Sequence, residues 1–323
     1  MPKEVLYSKL VFIDSHDGVR GAKTLKPSFH IPSNAFGCSQ GESMRLVLKS
    51  FTMPKSFYNI NQDNNVFFYN NTDTNSLVEV KLIPGDYTAD ELKDEIQTRV
   101  RATPGLGGTF TVAYDTKTRK FTFTIPSNYP SGYFVSFFDK NETTLEYRSD
   151  ANEVLGGTPS TDVNAPVNMF AGGAHTFNGG ATTVASKYPI RLSTIENIYL
   201  RCSLQGDAYC STSYEVNKTG NKLDNTDIWA AIPNVTNAND NIVLEDNSED
   251  YQIHIKSGQL TDIKFNLSDG KGRTLPLVTD TQAEDGNINF NLVFKFEILS
   301  EPHEAHIVTG GVAQYRQPPE MTK

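Results

Sequence analysis

Residue types that could do chemistry lie near the start of the chain. Asp14, His16 and Asp17 bring two carboxylates and an imidazole within four positions, and such groups bind divalent metals. Gly18 follows at once, and Asp and Gly together are typical of a turn. Because a metal site also needs further ligands in a matched geometry, we interpret this segment as a turn. We therefore predict no metal-binding residues here.

A second histidine pair lies near the end of the chain. His303 and His306 are three positions apart, so both could bind one metal ion on a helix. Pro302 and the lack of an apolar face disfavour a helix there. Residues 300–323 are predicted instead to form a C-terminal tail, either flexible or grasping a partner.

Motifs of known enzymes are missing from the sequence. It contains no nucleophile elbow, HExxH pair, Walker loop or dinucleotide fingerprint. The glycine pairs Gly172-Gly173 and Gly179-Gly180 are followed by no helical pattern, so residues 159–187 are predicted to be a long Gly-rich loop. Asp280, Glu284 and Asp285 are read as a solvated acidic turn. We predict that the protein is not an enzyme, with no catalytic residues, no cofactor-binding residues and no cofactors.

Composition narrows the class of protein further. Among 323 residues, 37% are hydrophobic and the net charge is −9, a balance that argues against nucleic acid as a partner. No apolar run reaches the roughly 20 residues of a membrane span, and the first residues lack the apolar region of a secretory signal. Three cysteines without short spacing argue against a disulfide scaffold or a zinc site.

The clearest structural pattern is the final apolar run. Alternate side chains from Ile288 to Ile298 are apolar: Ile288, Phe290, Leu292, Phe294, Phe296 and Ile298. A period of two places them on one face of a β-strand. Residues 261–267 alternate in the same way, and a turn rich in Gly and Asp follows them. Such half-apolar strands need a second apolar layer, which predicts a β-sandwich.

One helix interrupts the strand pattern. Thr88 and Glu91 have capping-box spacing, and Leu92, Ile96 and Val100 then recur every four residues. A predicted hairpin follows, with its turn at residues 115–119. We predict that residues 84–158 form an inserted small α+β subdomain with its own core.

Counting strands outside this insertion gives the predicted fold class. It is all-β: a single jelly-roll sandwich of eight strands, formed by residues 44–83 and 188–299. Residues 1–43 are punctuated by prolines and glycines and are predicted to be an N-terminal arm and extended segment. The eight strands are 44–51, 66–69, 77–83, 197–204, 228–232, 251–256, 261–267 and 287–299.

Five phrases in fixed order resemble the penton, or vertex minor capsid, proteins of virophages and polinton-like viruses, in the double-jelly-roll virus lineage. These phrases are Met44–Phe51, Ile83–Leu92, Ile195–Cys202, Ile263–Arg273 and Asn289–Phe296. The resemblance spans about residues 45–299, and their order is more specific than any one phrase. A major capsid protein of this lineage would need two jelly rolls, whereas the predicted strands supply one.

This resemblance implies a structural role in a virion that is assembled in the host cell. It implies a homopentamer at each five-fold vertex of an icosahedral capsid, in contact with major capsid protein trimers and with the insertion projecting outward. Other minor capsid proteins or a host receptor are further partners that it allows. It transfers no catalytic residues.

The alternative prediction is a carbohydrate- or receptor-binding sandwich, as in a fibre or spike. Loop Asp and Asn residues often bind glycans, and the segments Asp139–Asn141 and Asn221–Asp227 supply them. Residue types alone do not choose between the two roles.

Overall fold

The computed structural model describes most of the chain and divides it into two compact units. The sandwich unit contains the described residues of Met1–Lys55, Glu196–Leu277 and Ile288–Lys323, and the inserted unit those of Ser56–Ile195. The described residues are 4–21, 24–32, 35–39, 41–103, 108–125, 131–136, 151–157, 167–168, 182–193, 195–206, 213–216, 223–236, 240–255, 258–270, 272–275 and 288–300.

The elements follow one another in chain order. Before the insertion come β1 Val5–Asp14, a 3-10 turn Ser15–Asp17, β2 Val19–Gly21, β3 Thr24–His30, β4 Gly37–Cys38 and β5 Glu42–Pro54. The inserted unit has β6 Val66–Asn71, β7 Ser76–Lys81, α1 Ala89–Ala102, β8 Thr111–Asp115, β9 Lys120–Ile125, β10 Gly132–Ser136, β11 Val167–Asn168 and β12 Thr182–Ala185. The sandwich unit then continues with β13 Asn197–Gly206, β14 Ser213–Val216, β15 Leu223–Thr226, β16 Ile228–Pro233, β17 Asn241–Glu245, β18 Gln252–Ile255, β19 Gly258–Ser268 and β20 Asn291–Ser300.

Two antiparallel sheets form the sandwich unit. In the first sheet the order is β1-β20-β5-β17, and β18 also pairs with β5. In the second sheet the order is β16-β13-β19-β3-β2, and β4 also pairs with β19. The chain crosses repeatedly from one sheet to the other, and strands from both ends of the chain pair side by side. This is the topology of a single jelly roll, which confirms the predicted fold class.

Aromatic side chains fill the space between the sheets. Trp229 of β16 lies 6.2 Å from Phe265 of β19 and 5.7 Å from Phe294 of β20, measured between ring centroids. The period of two predicted for the last strand is confirmed from Ile288 to Phe296, where every alternate side chain is buried. It ends there, since Ile298 is half-buried and Glu297 is buried instead.

The strands of the sandwich differ from those predicted. The predicted strands 66–69 and 77–83 pair with each other as β6 and β7 in the inserted unit, and the count of eight is not confirmed. In their place the sandwich uses residues 5–30, which were predicted to be an arm. Pro27 precedes Ser28, the first residue of β3 that pairs with β19, so its missing N–H removes no hydrogen bond from that ladder.

A helix packed on strands forms the inserted unit. The capping box is confirmed: Glu91 N donates to Thr88 Oγ1 at 3.3 Å, and Thr88 N donates to Glu91 Oε2 at 2.8 Å. The predicted apolar face is buried, and it packs in one core with the phenylalanines of β8–β10 and neighbouring segments. The β8–β9 hairpin is also present, with its turn at Asp115–Arg119.

The inserted unit is larger than predicted. It extends over Ser56–Ile195 rather than 84–158, because β6 and β7 contribute Phe67, Tyr69 and Val80 to the core of the helix. Within the predicted Gly-rich loop 159–187, the described parts include β11 and β12, and β12 pairs with β9. The rest of that loop and residues 301–323 lie outside the described residues.

Two phenylalanines on neighbouring strands provide a matched test of the sandwich core. Phe294 is 1% exposed, whereas Phe12 of β1 is 73% exposed. Phe294→Ala should lower the free energy of unfolding by about 3–5 kcal/mol, and Phe12→Ala by no more than about 0.5 kcal/mol. Urea unfolding followed by fluorescence of Trp229, the single tryptophan, measures this unit. Equal losses at both positions would contradict the assigned faces of the sheet.

The second prediction concerns the boundary of the insertion. Since the inserted unit has its own core, replacing residues 56–195 by a short Gly-Ser linker should leave a folded sandwich. Circular dichroism should then show β-structure without helix, and Trp229 fluorescence should show a cooperative transition. If this variant only aggregates while the full chain folds, the two units depend on each other for folding.

Candidate functional site

The residues near the N-terminus that were considered as metal ligands form a turn. Asp14 Oδ1 accepts a hydrogen bond from His16 N at 2.8 Å and so caps the 3-10 turn that follows. This confirms the turn interpretation. Within the described ranges, no three His, Cys, Asp or Glu side chains are grouped closely enough to hold a metal ion.

Of the two segments considered for glycan binding, only residues 223–227 lie within the described part of the chain. Asp139–Asn141 lie outside the described residues, as do the acidic turn 280–285 and the histidines His303 and His306. Asp227 accepts a hydrogen bond from Arg201 Nη1 at 2.7 Å, and Arg201 Nε donates to Ser268 at 2.9 Å. Asp227 therefore helps to hold the second sheet together.

An ion network on the outer face of the first sheet was missed by sequence reasoning. Arg45 and Lys49 of β5, together with Lys295 and Glu297 of β20, project from this face. Arg45 forms a close ion pair with Glu297, whose side chain is only 3% exposed. Lys295 Nζ contacts Glu297 Oε1 at 2.8 Å, so the buried carboxylate has two cationic partners.

Glu249 completes the network from the loop between β17 and β18. It accepts from Lys49 Nζ at 2.9 Å and from Lys295 Nζ at 2.5 Å. Its backbone has a φ of +62°, a conformation that L-residues seldom adopt. Asp246 stabilises this loop, since its carboxylate accepts hydrogen bonds from the backbone N–H groups of residues 248, 249 and 251. The loop thus holds Glu249 over the sheet.

The network shifts the proton affinities of its members. Hydrogen bonds from Lys295 and then Lys49 lower the pKa of Glu249 to about 2. Burial lowers the pKa of Lys295, but its hydrogen bonds to Glu249 and Glu297 outweigh burial, and the pKa is raised. Glu249 and Lys295 therefore both remain charged at neutral pH, which suits a fixed structural network rather than proton transfer.

The sandwich has two lateral edges, where both sheets end together. We call β1 and β2 the first lateral edge, since these terminal strands are joined by the 3-10 turn. We call β16 and β17 the second lateral edge, since they end the two sheets on the opposite side and are consecutive in the chain.

Exposed apolar side chains concentrate at these edges. Among the described residues of the sandwich unit, the large exposed hydrophobic side chains are Val5, Leu6, Tyr7, Leu10, Phe12 and Val19 at the first edge, and Val235 and Val243 at the second. Val235 lies in the connection between β16 and β17. An exposed apolar strand at the edge of a sheet readily pairs with another chain. The lateral edges are therefore the candidate functional surface of this unit.

Within the described ranges, no helix combines the length and hydrophobicity needed to cross a membrane.

Comparisons with known proteins find structural likeness only. No family model matches this chain, and no curated protein matches it. The chain is similar to the crystal structure of the selenomethionine-labelled mavirus penton protein, at 12% identity and a TM-score of 0.44, over 90% of this chain and 98% of that one. It is also similar to a chain of the Sputnik virophage structure from cryo-EM, at 11% identity and a TM-score of 0.32, over 93% and 98% of the two chains. Likeness at this level assigns neither a family nor an activity.

The ion network predicts a specific dependence of stability on pH. The pKa of Glu249 is lower in the folded chain than its ordinary value of 4.5, so its contribution is present above pH 4.5 and is lost as the pH falls towards about 2. Glu249→Gln should lower the free energy of unfolding at pH 7 by about 1 kcal/mol, and this deficit should shrink as the pH falls through that window.

Glu245 provides the control for this change. It is exposed on β17, so Glu245→Gln makes the same chemical change without removing either of the network's two anions. Urea unfolding followed by Trp229 fluorescence at pH 7 and at pH 2.5 measures both variants. A deficit for Glu249→Gln that is equal at the two pH values would show that its charge does not stabilise the fold.

Proposed function

We propose that the protein is a structural capsid protein: a penton that forms pentamers at the five-fold vertices of an icosahedral virion. Two features support this. The five phrases from Met44 to Phe296 resemble vertex proteins in their order along the chain. The chain also folds as one jelly-roll unit with an insertion, rather than as the two jelly rolls of a major capsid protein of that lineage.

The observation that carries the proposal is the exposed apolar character of both lateral edges. β1 has ten residues, and Leu10 and Phe12 on its outer face are 52% and 73% exposed. Soluble monomers usually protect such an edge with charge, a bulge or a covering segment. A subunit of a closed assembly buries it against a neighbour, and a head-to-tail contact forms a ring when its rotation closes.

Assembly with other capsid components follows from this role. The pentamer would contact major capsid protein trimers around each vertex, within the virion. Other minor capsid proteins or a host receptor would bind surfaces that the ring leaves free. The carbohydrate-binding alternative remains testable with a glycan array, although Asp227 is already bound to Arg201.

The third prediction concerns the mass of the assembly. Five copies of the 35.8 kDa chain give about 180 kDa, and light scattering should find this species at high protein concentration or when the major capsid protein is present. Negative-stain micrographs should show five-fold rings. A chain that stays monomeric under both conditions, fails to join capsid shells and binds glycans would support the alternative function.

The fourth prediction concerns the C-terminal tail. Ser300 N donates to Glu4 O at 2.9 Å, so the chain leaves β20 beside the start of β1, at the edge of the sandwich unit. Deleting residues 301–323 removes no described strand and should leave the urea midpoint unchanged, while incorporation into capsid shells falls. Normal incorporation of the truncated chain would contradict a role of the tail in docking.

A further inference from the structure

We infer that the first lateral edge of one protomer packs against the second lateral edge of the next copy, so that their first sheets meet side by side around the ring. This inference rests on the proposed vertex function and names the surfaces that would form the contact within the pentamer.

Register across the first sheet places Phe12 and Val243 at nearly the same level. Residues that face each other on neighbouring antiparallel strands form rows across the sheet. One row runs through Phe12, Val293, Ser50 and Glu245, from the first edge to the second. The next row runs through Asp14, Asn291, Thr52 and Val243. Exposed Phe12 and Val243 thus lie in adjacent rows, at opposite edges of one face.

This shared level suits a ring whose axis runs roughly along the strands. Rotation about an axis leaves the height of each atom along that axis unchanged. A patch on one protomer can therefore meet a patch on its neighbour only if both lie at similar heights. Phe12 and Val243 satisfy this condition, since they lie in adjacent rows of the outer face. Both side chains also project from the outer face, so they would share one apolar contact.

The two apolar edges of a protomer are different surfaces. A second copy of the chain can cover each of them if it presents the opposite edge. A two-fold contact uses the same surface twice, so pairing β1 with β1 would leave Val235 and Val243 exposed. A head-to-tail contact covers both edges of every protomer with one kind of interface.

Cross-linking between the edges tests the inference directly. Cys38→Ser and Cys210→Ser first remove two native thiols, while Cys202 is buried and can remain. In this background, Phe12→Cys together with Val243→Cys should give a ladder that ends at five copies with a short bismaleimide linker. Each single substitution should give no ladder.

A charged substitution at the first lateral edge provides a second test of the inference. Phe12→Glu should raise the protein concentration needed for ring formation at least about tenfold, since a carboxylate would be buried in an apolar contact. Leu77→Glu is the matched control, because Leu77 is 47% exposed on β7 of the inserted unit. The urea midpoint of both variants should stay close to that of the unchanged protein.

The outcomes separate this inference from the proposed function. Rings of normal mass that neither cross-link nor respond to Phe12→Glu would overturn the inference and leave the vertex function standing. Cross-linked dimers from Phe12→Cys alone would overturn it in favour of a two-fold contact. Protection of that thiol in dilute monomer, relieved by deletion of residues 301–323, would identify the tail as the occupant. If the unchanged protein forms no rings even with the major capsid protein, the proposed function itself fails.

Discussion

The first sheet depends on the insertion of the last strand, β20, between two strands from the beginning of the chain. β20 pairs with β1 along one side and with β5 along the other, so neither of these strands has its full partner until β20 is in place. Glu4 and Ser300, which are hydrogen-bonded at the end of this pairing, are 296 positions apart. Such non-local pairing must overcome the entropy of closing a long chain, which makes folding slow and cooperative. β20 also carries many bulky apolar residues, because this strand packs on the core along most of its length.

The insertion is compatible with this constraint because it lies in the connection between β5 and β13, outside the strands with which β20 pairs. The chain leaves the sandwich after Lys55 and returns at Glu196, at the ends of β5 and β13. The inserted unit closes its own core around α1, whose buried residues contact the phenylalanines of its own strands. Since the closure entropy of a loop grows slowly with its length, an independently folded segment costs little at such a position. The sandwich can therefore carry an added unit without a redesigned core.

Local patterns predicted the elements better than they predicted the partners of those elements. The alternation of Phe290, Leu292 and Phe294 and the capping box at Thr88 were read correctly, because each depends on near neighbours in the chain. The pairing of β6 with β7 outside the sandwich was missed, because an alternating strand does not show which sheet it joins. Residues 5–30 fall within the predicted N-terminal arm and extended segment 1–43, because Pro27 weakens a strand pattern although it lies just outside the ladder with β19. The charges of Lys295 and Glu297 two positions apart could have indicated the ion network, but the contribution of Glu249 depends on the fold of its loop.

The outer face of the first sheet combines an ion network at its centre with exposed apolar side chains at its margins. At its centre, Arg45 and Lys295 pair both with the buried carboxylate of Glu297 and with Glu249, so the charges are satisfied within the protomer and offer little to a partner. Losing one member of such a network would leave a buried charge without compensation, which favours keeping it intact. At its margins, Leu10, Phe12 and Val243 remain exposed although the fold could have placed polar side chains there without loss to the core. Apolar groups gain free energy only when they leave water, and in the described sandwich they lie where a neighbouring sheet could approach. The distribution of charge and apolar surface thus separates what stabilises the protomer from what is left for assembly.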